Sequence, residues 1–94
     1  VTVDTIQQQV ADHFRLHRSE LIEKKRTKRI AVPRMIAIYL TKEMAGLSLK
    51  KIGECFGGRD HSTIIHACEK IQKDRQKDPE LNREIETLIL ELKK

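Results

Sequence analysis

Phe56-Gly57-Gly58-Arg59-Asp60-His61-Ser62-Thr63-Ile64-Ile65-His66-Ala67-Cys68 decides how this chain reads. Two consecutive glycines accept positive φ without steric cost, so one helix can end and another begin within a few residues. Asp60 falls where an N-cap belongs, its carboxylate placed to accept from the backbone N–H of Ser62 or Thr63. A cap alone needs only the aspartate. Here an acceptor, an imidazole and two hydroxyls share the first turn, and behind them Ile64, Ala67, Cys68 and Ile71 form an apolar stripe at helical spacing. Such a helix buries its back and presents a polar tip, the arrangement by which a helix reads base edges.

Upstream, Gly46 closes a preceding helix and Ser48 is a cap for the next. Leu49, Ile52 and Phe56, at i, i+3 and i+7, give that helix an amphipathic length of about two turns. Helix, glycine turn, helix over about residues 48–76 is a helix-turn-helix pattern, whose second helix enters the major groove while the first crosses the phosphate backbone. Many glycine-linked helical hairpins bind no nucleic acid, so charge is the next test. The formal net charge is +5, yet Arg15 to Lys51 holds eleven Lys/Arg against three Glu, and the rest of the chain is net negative. The centre of this field is Lys24-Lys25-Arg26-Thr27-Lys28-Arg29, inside a basic loop at 23–29 with no apolar residue to bury. Alone, a charge run is a solvated loop. Beside a helix-turn-helix it points to phosphate contact or minor-groove insertion.

The remaining segments read as scaffold. Thr2 caps a first helix with Ile6, Val10 and Phe14 on one face. Ser19 opens a short turn that closes Leu21 and Ile22 over the core. Pro33 suits the first turn of a third, central helix with Ile36, Tyr39, Leu40 and Met44 facing inward. Asp78-Pro79 restarts the chain, and Leu81, Ile85, Leu88 and Leu92 stripe the last helix. Ninety-four residues allow one all-α domain burying roughly two-thirds of its unfolded surface. The 3% aromatic content argues against a stacking platform for single strands and in favour of duplex. With no apolar run of membrane-span length and no signal peptide, a cytoplasmic location is the expectation, and a start at Val1 suggests a piece of a larger protein.

Other chemistries fit poorly. Cys55, His61, His66 and Cys68 lack paired Cys-x-x-Cys spacing, and the two histidines, five apart on a helix, point in different directions, so no metal is expected. Asp60, His61 and Ser62 name the members of a hydrolase triad, but adjacent helical residues diverge, so no enzyme activity is expected. No phosphate-binding Gly-x-x-x-x-Gly-Lys-Ser/Thr loop is present, so the chain should need no cofactor. A general helix-turn-helix transcription regulator and a helical protein-interaction module, its basic loop engaging an acidic partner, stay open as alternatives.

Ile52-Gly53, Phe56 through Thr63, His66-Ala67-Cys68 and Lys70-Ile71 together resemble the signature of the C-terminal DNA-binding domain (domain IV) of the bacterial replication initiator DnaA family, and the likeness spans the whole chain. The resemblance implies a single helical domain of about six helices, Trp-repressor-like, that binds double-stranded DNA at origin boxes of TTATNCACA type, in a nucleoid-associated protein. It implies that Arg26 enters the minor groove and that Asp60, His61 and Ser62 read bases. Lys25, Arg34, Lys42, Thr63 and Lys70 take the place of phosphate contacts. An ATP-binding module, regulatory proteins and other initiator protomers would engage regions outside this chain. Two positions depart from the pattern: Met35 stands where many relatives carry glutamine, and Ser62, where threonine is also common, lacks a methyl that could meet a thymine methyl.

Overall fold

In a computed structural model, which describes residues 1–24 and 27–94, every regular element among the described residues is a helix. They are α1 (Val3–His13), α2 (Arg18–Ile22), α3 (Lys28–Met44), α4 (Leu49–Cys55), α5 (His61–Lys77) and α6 (Pro79–Lys93). The architecture is all-α. Lys25 and Arg26 lie outside the described residues.

α3 is central because its sequence is apolar almost all round. Ile30, Ile36, Ala37, Ile38, Tyr39 and Leu40 are buried, and a helix of that kind is stable only with neighbours on several sides. It packs against α1, α2, α4 and α5, while α6 closes over α1 and α5. Thr41, also buried, returns its hydroxyl to the Ala37 carbonyl at 2.7 Å. The stripes expected of the outer helices face inward: Ile6 and Val10 of α1, Ile64, Ala67 and Ile71 of α5, and Ile85, Leu88 and Leu92 of α6 are buried. Phe14, Leu81 and Met44 are partly buried against them.

The helix ends show the local chemistry. The Thr2 hydroxyl accepts from the Thr5 N–H at 3.2 Å. Asp78 ends α5, its N–H donating to the Asp74 carbonyl at 2.9 Å, and starts α6, its carboxylate accepting from the N–H of Glu80 at 3.1 Å and of Leu81 at 3.2 Å. Pro79 occupies the first turn of α6, where no N–H is needed.

Three expectations shift. Ser19 is the second residue of α2, not its cap; the helix opens at His17, whose N–H donates to the Glu20 carboxylate at 2.8 Å. That bond, with Arg29 3.3 Å away, holds the Glu20 carboxyl below its ordinary pKa. The basic loop is shorter than 23–29, because Lys28 and Arg29 form the first turn of α3; the Thr27 carbonyl accepts from the N–H of Ile30 at 3.0 Å and of Ala31 at 2.9 Å. Pro33 is therefore the sixth residue of α3 and buried, and it cannot donate to the Arg29 carbonyl one turn back. Lys and Arg are good helix formers, so nothing in this segment stops the helix before Thr27, and Glu20 offsets the cation in its first turn.

Two side-chain networks cross-link the helices. Gln7, buried in α1, donates to the Cys55 carbonyl at the end of α4 at 2.9 Å and accepts from Arg18 Nε of α2 at 2.9 Å. Arg75 of α5 donates to the Tyr39 hydroxyl of α3 at 3.0 Å, and to Asn82 at 2.8 Å and Glu86 at 2.6 Å on α6. Among the described residues no helix is long and apolar enough to cross a membrane.

Candidate nucleic-acid interface

α4 opens where the Ser48 hydroxyl accepts from the Lys51 N–H at 3.2 Å, and it buries Ile52 and, at its C-cap, Phe56. The Gly53 carbonyl then gathers the turn, accepting from the N–H of Gly58 at 2.9 Å and of Arg59 at 3.0 Å. Gly57 and Gly58 take φ of +83° and +78°, the left-handed region that L side chains rarely adopt. Gly53 is needed for its size: a Cβ there would collide with the Arg59 carbonyl oxygen.

Asp60 caps α5. Its Oδ1 accepts from the Thr63 N–H at 3.0 Å and from the Ser62 hydroxyl at 2.9 Å. These bonds, the backbone one foremost, hold the Asp60 carboxyl below its ordinary pKa, and the group is fully exposed. His61, Ser62 and Thr63 are exposed beside it on the first turn, while Ile64 points into the core. The structure thus brings three of the expected base readers, and Thr63, together at one tip.

The expected phosphate contacts separate. Lys42 of α3 is exposed and faces a groove between α3 and α5 beside Cys68 and Glu69. Lys70 is exposed on the other flank of α5, its ammonium 3.0 Å from Asp74. Cys68 is half-buried, and desolvation pushes its thiol pKa up. Arg34 sits elsewhere than an exposed contact would. It is 7% exposed and donates from Nε to the Leu21 carbonyl at 2.9 Å and from Nη2 to the carbonyls of Glu20 at 3.1 Å and Glu23 at 2.6 Å. A guanidinium bound this way serves the protein backbone.

Three residues not singled out in the sequence emerge at this site. Arg59 donates to the carbonyls of Phe56, Ile22 at 3.4 Å and Glu23 at 2.9 Å. Burial pulls both Arg34 and Arg59 below the ordinary guanidinium pKa, and the Arg59 charge lowers Arg34 further. Lys50 borders a shallow depression with Asp60 and His61. Ile65 is 41% exposed, four residues from His61 and three from Ser62, so it shares their face. Its position off the Ile64–Ala67–Ile71 stripe was the available signal.

The family model described as the bacterial dnaA protein helix-turn-helix matches residues 3–71. The chain belongs to this family. It is 48% identical over 93 residues to the chromosomal replication initiator protein DnaA of Symbiobacterium thermophilum, an alignment covering 99% of this chain and 20% of that protein. Thus the chain spans about a fifth of the length of this curated relative. A crystal structure of a DNA replication initiation factor superposes with a TM-score of 0.81 at 27% identity, over 92% of this chain and 26% of that one. The matched residues 3–71 include the glycine turn and the capped, polar-tipped start of α5.

Proposed function

We propose that this chain binds double-stranded DNA sequence-specifically at replication-origin boxes of TTATNCACA type and so tethers an initiator protein to the origin. The observation that carries this reading is the exposed tip Asp60–Thr63, on a helix whose start is fixed by the Asp60 cap and the Gly53-centred turn. With α5 seated N-terminus first in the major groove, Asp60 and Ser62 face base edges. The Ser62 hydroxyl donates to Asp60, so both side chains offer lone pairs outward, which suits the amino groups of cytosine and adenine. Every base on one strand of the CACA half carries such a group. His61 reads a neighbouring edge, and Ile65 supplies the apolar contact for a thymine methyl on the opposite strand.

Arg26, in the minor groove of the A/T-rich half, and Lys25, on a phosphate, keep the roles the resemblance implies. Lys42 and Lys70, on opposite flanks of α5, suit the two backbones bordering an occupied groove, with Lys50 and Thr63 adding contacts near the tip. A cytoplasmic, nucleoid-associated protein with its ATP-binding module elsewhere is part of the same reading.

Titration of the chain against a box duplex, a scrambled duplex and an acidic polymer at several salt concentrations tests it. The box should bind on the order of a thousandfold tighter than scrambled DNA. Equal affinity for all three would leave only a cationic surface.

A further inference from the structure

The last carbonyls of a helix have no partner within it, and at the end of α2 they are taken by two guanidiniums from different parts of the chain. Arg34, on α3, reaches the carbonyls of Glu20, Leu21 and Glu23; Arg59, in the turn before α5, reaches those of Ile22 and Glu23. The Glu23 carbonyl accepts from both, at 2.6 Å and 2.9 Å. Gly57 reinforces the junction, since a Cβ there would collide with the Ile22 carbonyl oxygen. Glu23 immediately precedes the cationic run starting at Lys24, and Arg59 immediately precedes Asp60. Backbone joins each anchor to one of the two segments assigned to DNA.

We infer that Arg59 and Arg34 are positioning residues, Arg59 fixing the base of the basic loop to the recognition turn and Arg34 fixing it to α3, and that together they set the register between minor-groove and major-groove reading. The inference rests on the origin-box reading above. The Arg59 guanidinium does not contact DNA in this scheme, because it points at backbone carbonyls. The role calls for arginine, whose planar fork spans several carbonyls at once, whereas the lysine ammonium is a single point charge. A loosened bridge leaves the α5 tip capped by Asp60 but releases Glu23, at the base of the loop, from its fixed distance to that tip, and binding must restore that distance.

Arg59→Lys and Arg34→Lys test this in the 94-residue chain, with four duplexes: the box, a box altered in its A/T-rich half, a box altered in its CACA half, and scrambled DNA. Wild type should prefer the box over both altered forms; indifference to both removes the origin-box reading and this inference with it. Each variant should lose roughly tenfold of its discrimination at the A/T-rich half while discrimination at the CACA half stays within about twofold. Equal loss at both halves, or unchanged discrimination with all four duplexes weakened alike, overturns the assignment. If circular dichroism shows both variants unfolded, the pair is a core strut and the assignment also fails.

Discussion

At the scale of the residue, Asp60 does two jobs that substitution can separate. It caps α5 through the Thr63 N–H and presents a carboxylate at the tip. Asparagine is also a good N-cap, so Asp60→Asn should melt within a few degrees of wild type, whereas its amide brings a donor to an edge where the carboxylate only accepts. Discrimination between the box and a duplex altered at the contacted pair should fall roughly tenfold to a hundredfold, read from paired binding curves. Unchanged spacing of those curves would leave Asp60 a cap only. The folded pKa of Asp60 lies below its ordinary value of 3.8, so ionisation favours the folded state above that value, and the benefit is lost as pH falls through the lowered pKa. Melts of wild type and Asp60→Asn should therefore be separated above about pH 4 and draw together only as pH falls on through the lowered pKa. The cap was legible from sequence because its partner is three residues away. The place of Arg34 was not: an arginine serves a phosphate or a carbonyl equally well, and its carbonyls lie 11, 13 and 14 residues upstream.

At the scale of the element, most boundaries follow from residues that start or stop helices, and the misplaced ones are where that signal was weak. α3 runs back to Lys28 because Lys and Arg do not break helices, while Pro33, a strong marker of helix starts, is carried in the second turn under tertiary packing. The end of α1 carries the opposite conflict. Its terminal turn bonds the Leu16 N–H to the Ala11 carbonyl at 2.8 Å, with Arg15 at φ +57° in the place usually held by glycine. Arg15 is exposed, so replacing it removes no core contact. Arg15→Gly relieves the strain of a Cβ in the left-handed region but adds freedom to the unfolded chain. The expected balance is a stabilisation of about 0.5–1 kcal/mol, or a Tm higher by about 3–6 °C. Differential scanning calorimetry checks it, and a lower Tm would mean that the Arg15 side chain holds a contact worth more than the strain.

At the scale of the whole molecule, a sequence can show that one stretch is basic but not on which sides of a helix its cations emerge. Lys42 and Lys70 were both legible as cations on helices; that they flank α5 from opposite grooves depends on α3 packing along it, a contact between segments far apart in the chain. Each should therefore meet a different phosphate strand, and their losses should add, since well-separated sites with no shared partner behave independently. Lys42→Ala and Lys70→Ala should each weaken box and scrambled DNA by the same factor and flatten the log–log salt slope by about one unit, the double variant by about two. Lys70 is tied to Asp74 at 3.0 Å, and that ion pair must loosen before the ammonium serves DNA fully. Asp74→Asn should then tighten both duplexes alike, and Lys70→Ala in the Asp74→Asn background should cost more than in wild type. Fluorescence anisotropy across a salt series reads all five variants. A Lys42 or Lys70 variant that lost box binding and kept scrambled binding would be a base reader, and a double variant no worse than either single one would place both lysines on the same phosphate contact.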